Sequence, residues 1–171
     1  GSRPDVLNRT IATLDCDLVM VLDGEPVSPA WLQRLVDHAM LPGTGVVGPR
    51  LCTPIQLCQP GILGYRYEGW DWNTRGRLNQ LSVPHNLAAV SPAAMLFDLR
   101  QFLAFDGFNT DLPTLFGMDY CLQLQATGLL NVQVPESVIQ VQQLVTEEAE
   151  QVQLKALYPG WSDPYGLHQS F

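Results

Sequence analysis

The sequence predicts an α/β domain with a partly parallel sheet. Three observations carry that expectation. Leu18–Leu22 is a continuous apolar run too short for a helix, Trp31, Leu32, Leu35, Val36 and Ala39 mark one face of a helix, and Gly45 to Leu51 forms a second apolar run. Strand, helix and strand in that order, joined by short Gly- and Pro-containing turns, is the pattern of a sheet layered under helices.

The elements follow in chain order. Pro4 to Leu14 carry helical periodicity through Val6, Leu7, Ile11 and Leu14. The strand at Leu18–Leu22 stops at Asp23-Gly24-Glu25-Pro26, where Gly and Pro punctuate the chain. Ser28 followed by Pro29 reads as an N-cap with proline at the first helical position, and that helix closes near Pro42-Gly43. Gln59 to Gln80, rich in Gly, aromatics and Arg, reads as hairpin or loop. Ala88 to Phe97 is strand-like, and Gly107-Phe108 marks a turn. Met118 to Gln125 reads as a helix closed by Gly128, and Leu130 to Val134 as a short strand stopped by Pro135. A last helix is expected from Thr146, with Glu147 and Glu148 in its first turn, to about Tyr158.

Composition sets the bounds. The 171 residues are expected to form one domain or a large part of one, and at 46% hydrophobic and 15% charged they have enough apolar residues to bury a core. A net charge of −8 argues against nucleic acid and against a polybasic membrane patch. No apolar run nears the ~18 residues that span a bilayer. Gly1-Ser2 reads as a cloning scar, so the native chain is expected to extend upstream. Cys16, Cys52, Cys58 and Cys121 lack metal-ligand spacing and read as reduced thiols of a cytoplasmic protein, at the inner face of a membrane if the parent chain carries an anchor.

The ordered series of motifs resembles the C-terminal half of a family 2 glycosyltransferase domain, rhamnosyltransferase-like. Asn8, Ile11 and Asp17 leading into Leu18–Glu25 are similar to the family's helix, buried strand and acidic metal motif. Ser28-Pro29-Ala30-Trp31-Leu32, Val46–Leu51, Pro60–Gly64, Asn86–Ala93 and Asp106-Gly107-Phe108-Asn109 follow in the family's order. So do Asp119-Tyr120-Cys121-Leu122 with Gly128, and Trp161–Tyr165. The resemblance implies a GT-A-like mixed sheet with flanking helices, here lacking the N-terminal nucleotide-binding units. It also implies a nucleotide-sugar donor, a glycan or lipid-linked acceptor, inverting hexosyl transfer and a divalent cation, Mg²⁺ or Mn²⁺.

Transfer by inversion needs a cation to neutralise the leaving diphosphate and a carboxylate to deprotonate the acceptor hydroxyl. Asp23 and Glu25 are the donor-binding and metal-binding candidates, because positions i and i+2 of an extended segment point the same way. On residues alone, Asp23-Gly24 also reads as a solvated turn. The resemblance places the general base at Gly117, which can abstract no proton. Asp119 is the remaining catalytic candidate, although its position at a helix start also suits a cap. Gln123 stands where the family has Arg, Gln59 replaces a His, and Val141-Gln142 stand where a His commonly meets the metal. Trp70 and Trp72, among Tyr65, Tyr67, Arg66, Arg75 and Arg77, and His85 with Asn86, are the acceptor-binding candidates. Aromatics so dense also pack on a domain's own surface, and a lone His is often a structural hydrogen-bonding group. The substitutions leave two expectations open: a sugar transferase, or an inactive relative serving as a carbohydrate-binding or interaction scaffold. A half-domain with an exposed sheet edge is further expected to self-associate, as a homodimer.

Overall fold

A computed structural model describes residues 1–55, 57–59, 62–63, 66–67, 70–71, 82–142 and 149–165, the stretch 57–71 through its strand pairings. The elements are α1 (Arg3–Ile11), β1 (Leu18–Leu22), β2 (Glu25–Pro26), α2 (Trp31–Ala39), β3 (Thr44–Cys52), β4 (Leu57–Gln59), β5 (Ile62–Leu63) and β6 (Arg66–Tyr67). They continue with β7 (Trp70–Asp71), β8 (His85–Leu87), β9 (Ala94–Asp98), α3 (Leu99–Ala104), α4 (Phe116–Ala126), β10 (Leu130–Gln140) and α5 (Gln151–Leu157). The fold is mixed α/β. Its main sheet runs β1-β9-β3-β10-β2, with β4 on β3, β7 on β4 and β8 on β10. Among the described residues β3 and β10 are the parallel pair, and the remaining ladders are antiparallel.

Alternation along the strands divides the core into two layers. On one face Val47, Leu96 and Val134 pack beneath Leu35 of α2. On the other, Val19, Val21, Val46, Met95 and Phe97 meet Ile11 of α1, Phe102 of α3, Tyr120 and Leu124 of α4 and Leu154 of α5. Phe97, Phe102, Phe108 and Tyr120 stack there with centroids 4.8–5.8 Å apart, the offset and edge-on geometry that aromatic quadrupoles favour.

Asn8 ties α1 to this layer. Its Nδ2 donates to the Phe108 carbonyl and its Oδ1 accepts from the Phe108 amide, both at 2.7 Å. Gly107 sits in the left-handed region at φ 80°, and a Cβ there would meet Asn8 Oδ1 at 2.7 Å, so the turn needs glycine.

Five local expectations change. α1 ends at Ile11, and Ala12 to Leu14 turn away with Leu14 exposed. Ser28 does not cap α2. Left-handed Ala30 precedes that helix, and Ser28 Oγ instead accepts from the Val138 amide at 2.8 Å, fastening the loop to β10. Pro135 does not stop the last strand. β10 continues to Gln140, and its register with β3 shifts between Val134 and Val138, a bulge that accommodates a residue without an N–H. The run from Ala88 becomes regular strand only at Ala94, after a buried irregular stretch. The helix expected from Thr146 starts at Gln151, and Thr146, Glu147 and Glu148 lie outside the described residues. The closure at Gly128 matches its expectation, with φ 90° and the Gly128 and Leu129 amides donating back to Gln125 and Leu124.

Candidate functional site

β1 delivers Asp23 to the carboxyl end of the sheet. The Asp23 amide donates to the Ala93 carbonyl at 2.7 Å, the last rung toward β9, which frees the side chain to leave the sheet. Glu25 then pairs with Gln140 at the end of β10. The turn between them lies so close to β10 that a Cβ on Gly24 would meet the Gln140 carbonyl oxygen at 2.6 Å. Glycine is therefore what lets the two acids fold over that strand end.

Asp23 and Glu25 both line a cavity of about 630 Å³, together with Arg3, Thr114, Phe116 and Gln142. Arg3 is its described cation. Its Nη1 donates to Asp23 Oδ2 at 2.7 Å, its Nη2 to the Pro92 carbonyl at 3.4 Å, and its guanidinium stands 6.0 Å from the centre of the Phe116 ring. The Arg3–Asp23 pair is substantially exposed, so its net strength is small. Glu25 is exposed, and no described group pairs with its carboxylate. The cavity thus joins two acids, one guanidinium, one aromatic ring and the neutral side chain of Gln142.

Gly117 lies beside this cavity but faces the core. A Cβ there would meet Pro92 Cβ at 2.9 Å and Met95 Sδ at 3.0 Å, so the position expected to hold a base has no room for a side chain. Asp119 is 2% exposed and does not line the cavity. Its Oδ1 accepts from the Tyr158 hydroxyl and its Oδ2 from Gln123 Nε2, both at 2.7 Å. Burial raises its carboxyl above the usual range, with the two hydrogen bonds opposing. Asp119 therefore neither caps α4, correcting that expectation, nor meets a ligand in this cavity; it binds α4 to α5. The neighbouring thiol of Cys121 is wholly buried and pushed up to about 12.

The residue that serves the start of α4 is Glu150. Its carboxylate, 8% exposed, accepts from the Thr114 amide at 2.9 Å and from the Leu115 amide at 2.7 Å. Neither Glu150 nor Arg3 is marked by any local pattern; each acts on an element far away in sequence.

Of the acceptor candidates, His85 and Asn86 are not among the described residues that line the cavity. His85 and Asn86 pair with Gln133 and Val132, in the first half of β10 and far from Gln140. His85 Nδ1 lies 2.9 Å from the Val83 carbonyl, and burial lowers its pKa. The backbone of Trp70 is on β7 opposite Cys58, which itself opposes Cys52, the partner of Gln140. Trp72 lies outside the described residues.

No group of three His, Cys, Asp or Glu side chains suited to a metal occurs among the described residues. Asp23 and Glu25 alone fit a hard cation that brings other oxygen ligands with it, because Mg²⁺ commonly keeps its waters and substrate phosphates beside one or two carboxylates. No described helix is long and apolar enough to cross a membrane. No protein-family model and no curated protein matches the chain.

Proposed function

We propose that this chain is a glycosyltransferase-like domain of GT-A type that binds a nucleotide sugar or glycan at Asp23 and Glu25 and has no general base of its own. The observation that carries the reading is the contrast at one cavity. Two carboxylates reach it from a strand end, while Gly117 and Asp119 are committed to packing and internal hydrogen bonds. Carbohydrate suits this lining, since Glu25, Thr114 and Gln142 offer hydroxyl partners. A divalent cation held by Asp23 and Glu25 would supply charge neutralisation for a diphosphate; Arg3 would first have to release Asp23 Oδ2.

Calorimetric titration with uridine, thymidine and guanosine diphosphates in the presence of Mn²⁺ tests the reading. Metal-dependent binding lost in Asp23→Ala supports it, and no binding of any diphosphate or glycan sinks it.

One observation favours a second reading, in which sugar is transferred. Glu25 lines the cavity as an exposed carboxylate with no partner among the described residues, and there it would take an acceptor proton. Turnover of a nucleotide sugar by wild type, abolished in Glu25→Gln with diphosphate binding retained, would establish it.

A further inference from the structure

Among the described residues, β1 ends the sheet with one edge unpaired. Its described partner is β9 alone, with Leu18 opposite Asp98 and Leu22 opposite Ala94. The Leu99 amide donates to the Asp17 carbonyl, and the Asp23 amide to the Ala93 carbonyl. Antiparallel hydrogen bonding alternates, so odd-numbered residues from 17 to 23 face β9 while the N–H and C=O groups of Leu18, Met20 and Leu22 point away from it. Between Asp17 and Asp23 there is no proline, glycine or charge, the devices by which edge strands are usually blunted. The side-chain face is unfinished too. Leu18 and Met20 are only partly covered by the α2 layer, and Leu22 is 41% exposed.

We propose that the outer edge of β1 accepts an extended apolar segment of a partner polypeptide, carrying Lys or Arg at its ends, as an added strand. The charge at both ends of the edge argues for that chemistry. Asp15 and Asp17 are exposed before β1, and Glu25 and the Arg3-paired Asp23 are exposed after it. A second copy is the poorer occupant. Antiparallel pairing centred on Met20 would set Asp17 of each chain opposite Asp23 of the other, with like charges facing at both ends. A basic-ended strand has the opposite balance, and its end would lie beside Asp23 at the rim of the cavity. The inference does not depend on the sugar-binding reading.

The test uses the full chain and two synthetic peptides with a common Val/Ile/Thr core as long as β1, one flanked by lysines and the other by glutamates. Affinities come from fluorescence anisotropy, and the docking site from amide hydrogen exchange. The lysine-flanked peptide is expected to bind at least about tenfold more tightly, from several weak ion pairs acting together. It should slow exchange at Leu18, Met20 and Leu22, whose amides face outward. Met20→Pro removes an outward N–H without breaking a β9 hydrogen bond and should abolish binding. Leu22→Lys, which changes an exposed side chain, should weaken it and decides the matter if the proline variant fails to fold. Equal affinity for the two peptides, or no added protection at those amides, overturns the proposal. So does sedimentation of the wild type as a dimer that Leu22→Lys dissolves, which would give the edge to a second copy.

Discussion

The rim of the cavity and the start of α4 lie side by side, yet their polar groups are spent differently. At the rim, Asp23 and Glu25 are exposed, and the interaction that holds Asp23 is a solvent-screened pair with Arg3. At α4, Asp119 is buried among fixed donors, Glu150 holds backbone amides, and Gly117 fills its space without a side chain. Groups at the rim can change partners at little cost, whereas each group at α4 is part of what keeps the helix in place. Ligand chemistry is therefore available at one region and structurally forbidden at the other.

The sharpest break in that contrast is to force a base back into α4. Gly117→Glu should destabilise the fold by roughly 3 kcal/mol or more, and Gly117→Ala by about 1–3 kcal/mol, because the new Cβ overpacks against Pro92 and Met95. Urea unfolding measures both. A Gly117→Glu protein as stable as wild type would show that this position can open toward the cavity.

Next in size is Glu150→Ala. It leaves the Thr114 and Leu115 amides without their partner and should cost about 1–3 kcal/mol. Glu150→Gln keeps an acceptor and should recover part of the loss in the same denaturation series.

Asp119→Asn sharpens the electrostatic side of the comparison. A carboxyl raised above its ordinary value near 3.8 binds its proton more tightly in the folded state. Its favourable contribution is thus full below that value and is lost as pH rises through the raised one. The amide cannot ionise, so the variant should gain stability relative to wild type as pH goes from acid to neutral. Thermal melts across that range would reveal the crossover, and parallel pH profiles for the two proteins would contradict the buried-carboxylate account.

The smallest stability effect belongs to the rim. Asp23→Ala should change unfolding free energy by no more than about 1 kcal/mol, as expected of an exposed ion pair, while removing ligand binding.

Much of the framework was legible in the chain. Continuous apolar runs gave β1 and β3, the apolar face gave α2, and Gly128 marked its helix end. Asp23, Glu25 and Gln142 line one cavity, and their residue types alone would not have placed Gln142 beside the two acids. What escaped was tertiary. Pro135 signals a stop by local chemistry, but pairing on both sides carries β10 across it through a bulge. Ser28-Pro29 has cap chemistry, but Val138 takes the hydroxyl. The environment of Asp119 depends on Tyr158, and the anchoring of α4 on Glu150, contacts between segments more than thirty residues apart. His85 and Asn86, expected from the resemblance to meet an acceptor, are carried to the first half of β10, away from Gln140, by their strand pairing.

The most direct test of the contrast is an NMR titration with Mn²⁺ and uridine diphosphate, reading paramagnetic broadening along the backbone. Loss of signal at Asp23, Glu25 and Gln142, sparing Asp119 to Cys121 by comparison and absent in Asp23→Ala, is the predicted result. Broadening that is strongest at Asp119, or that persists unchanged in Asp23→Ala, would contradict it.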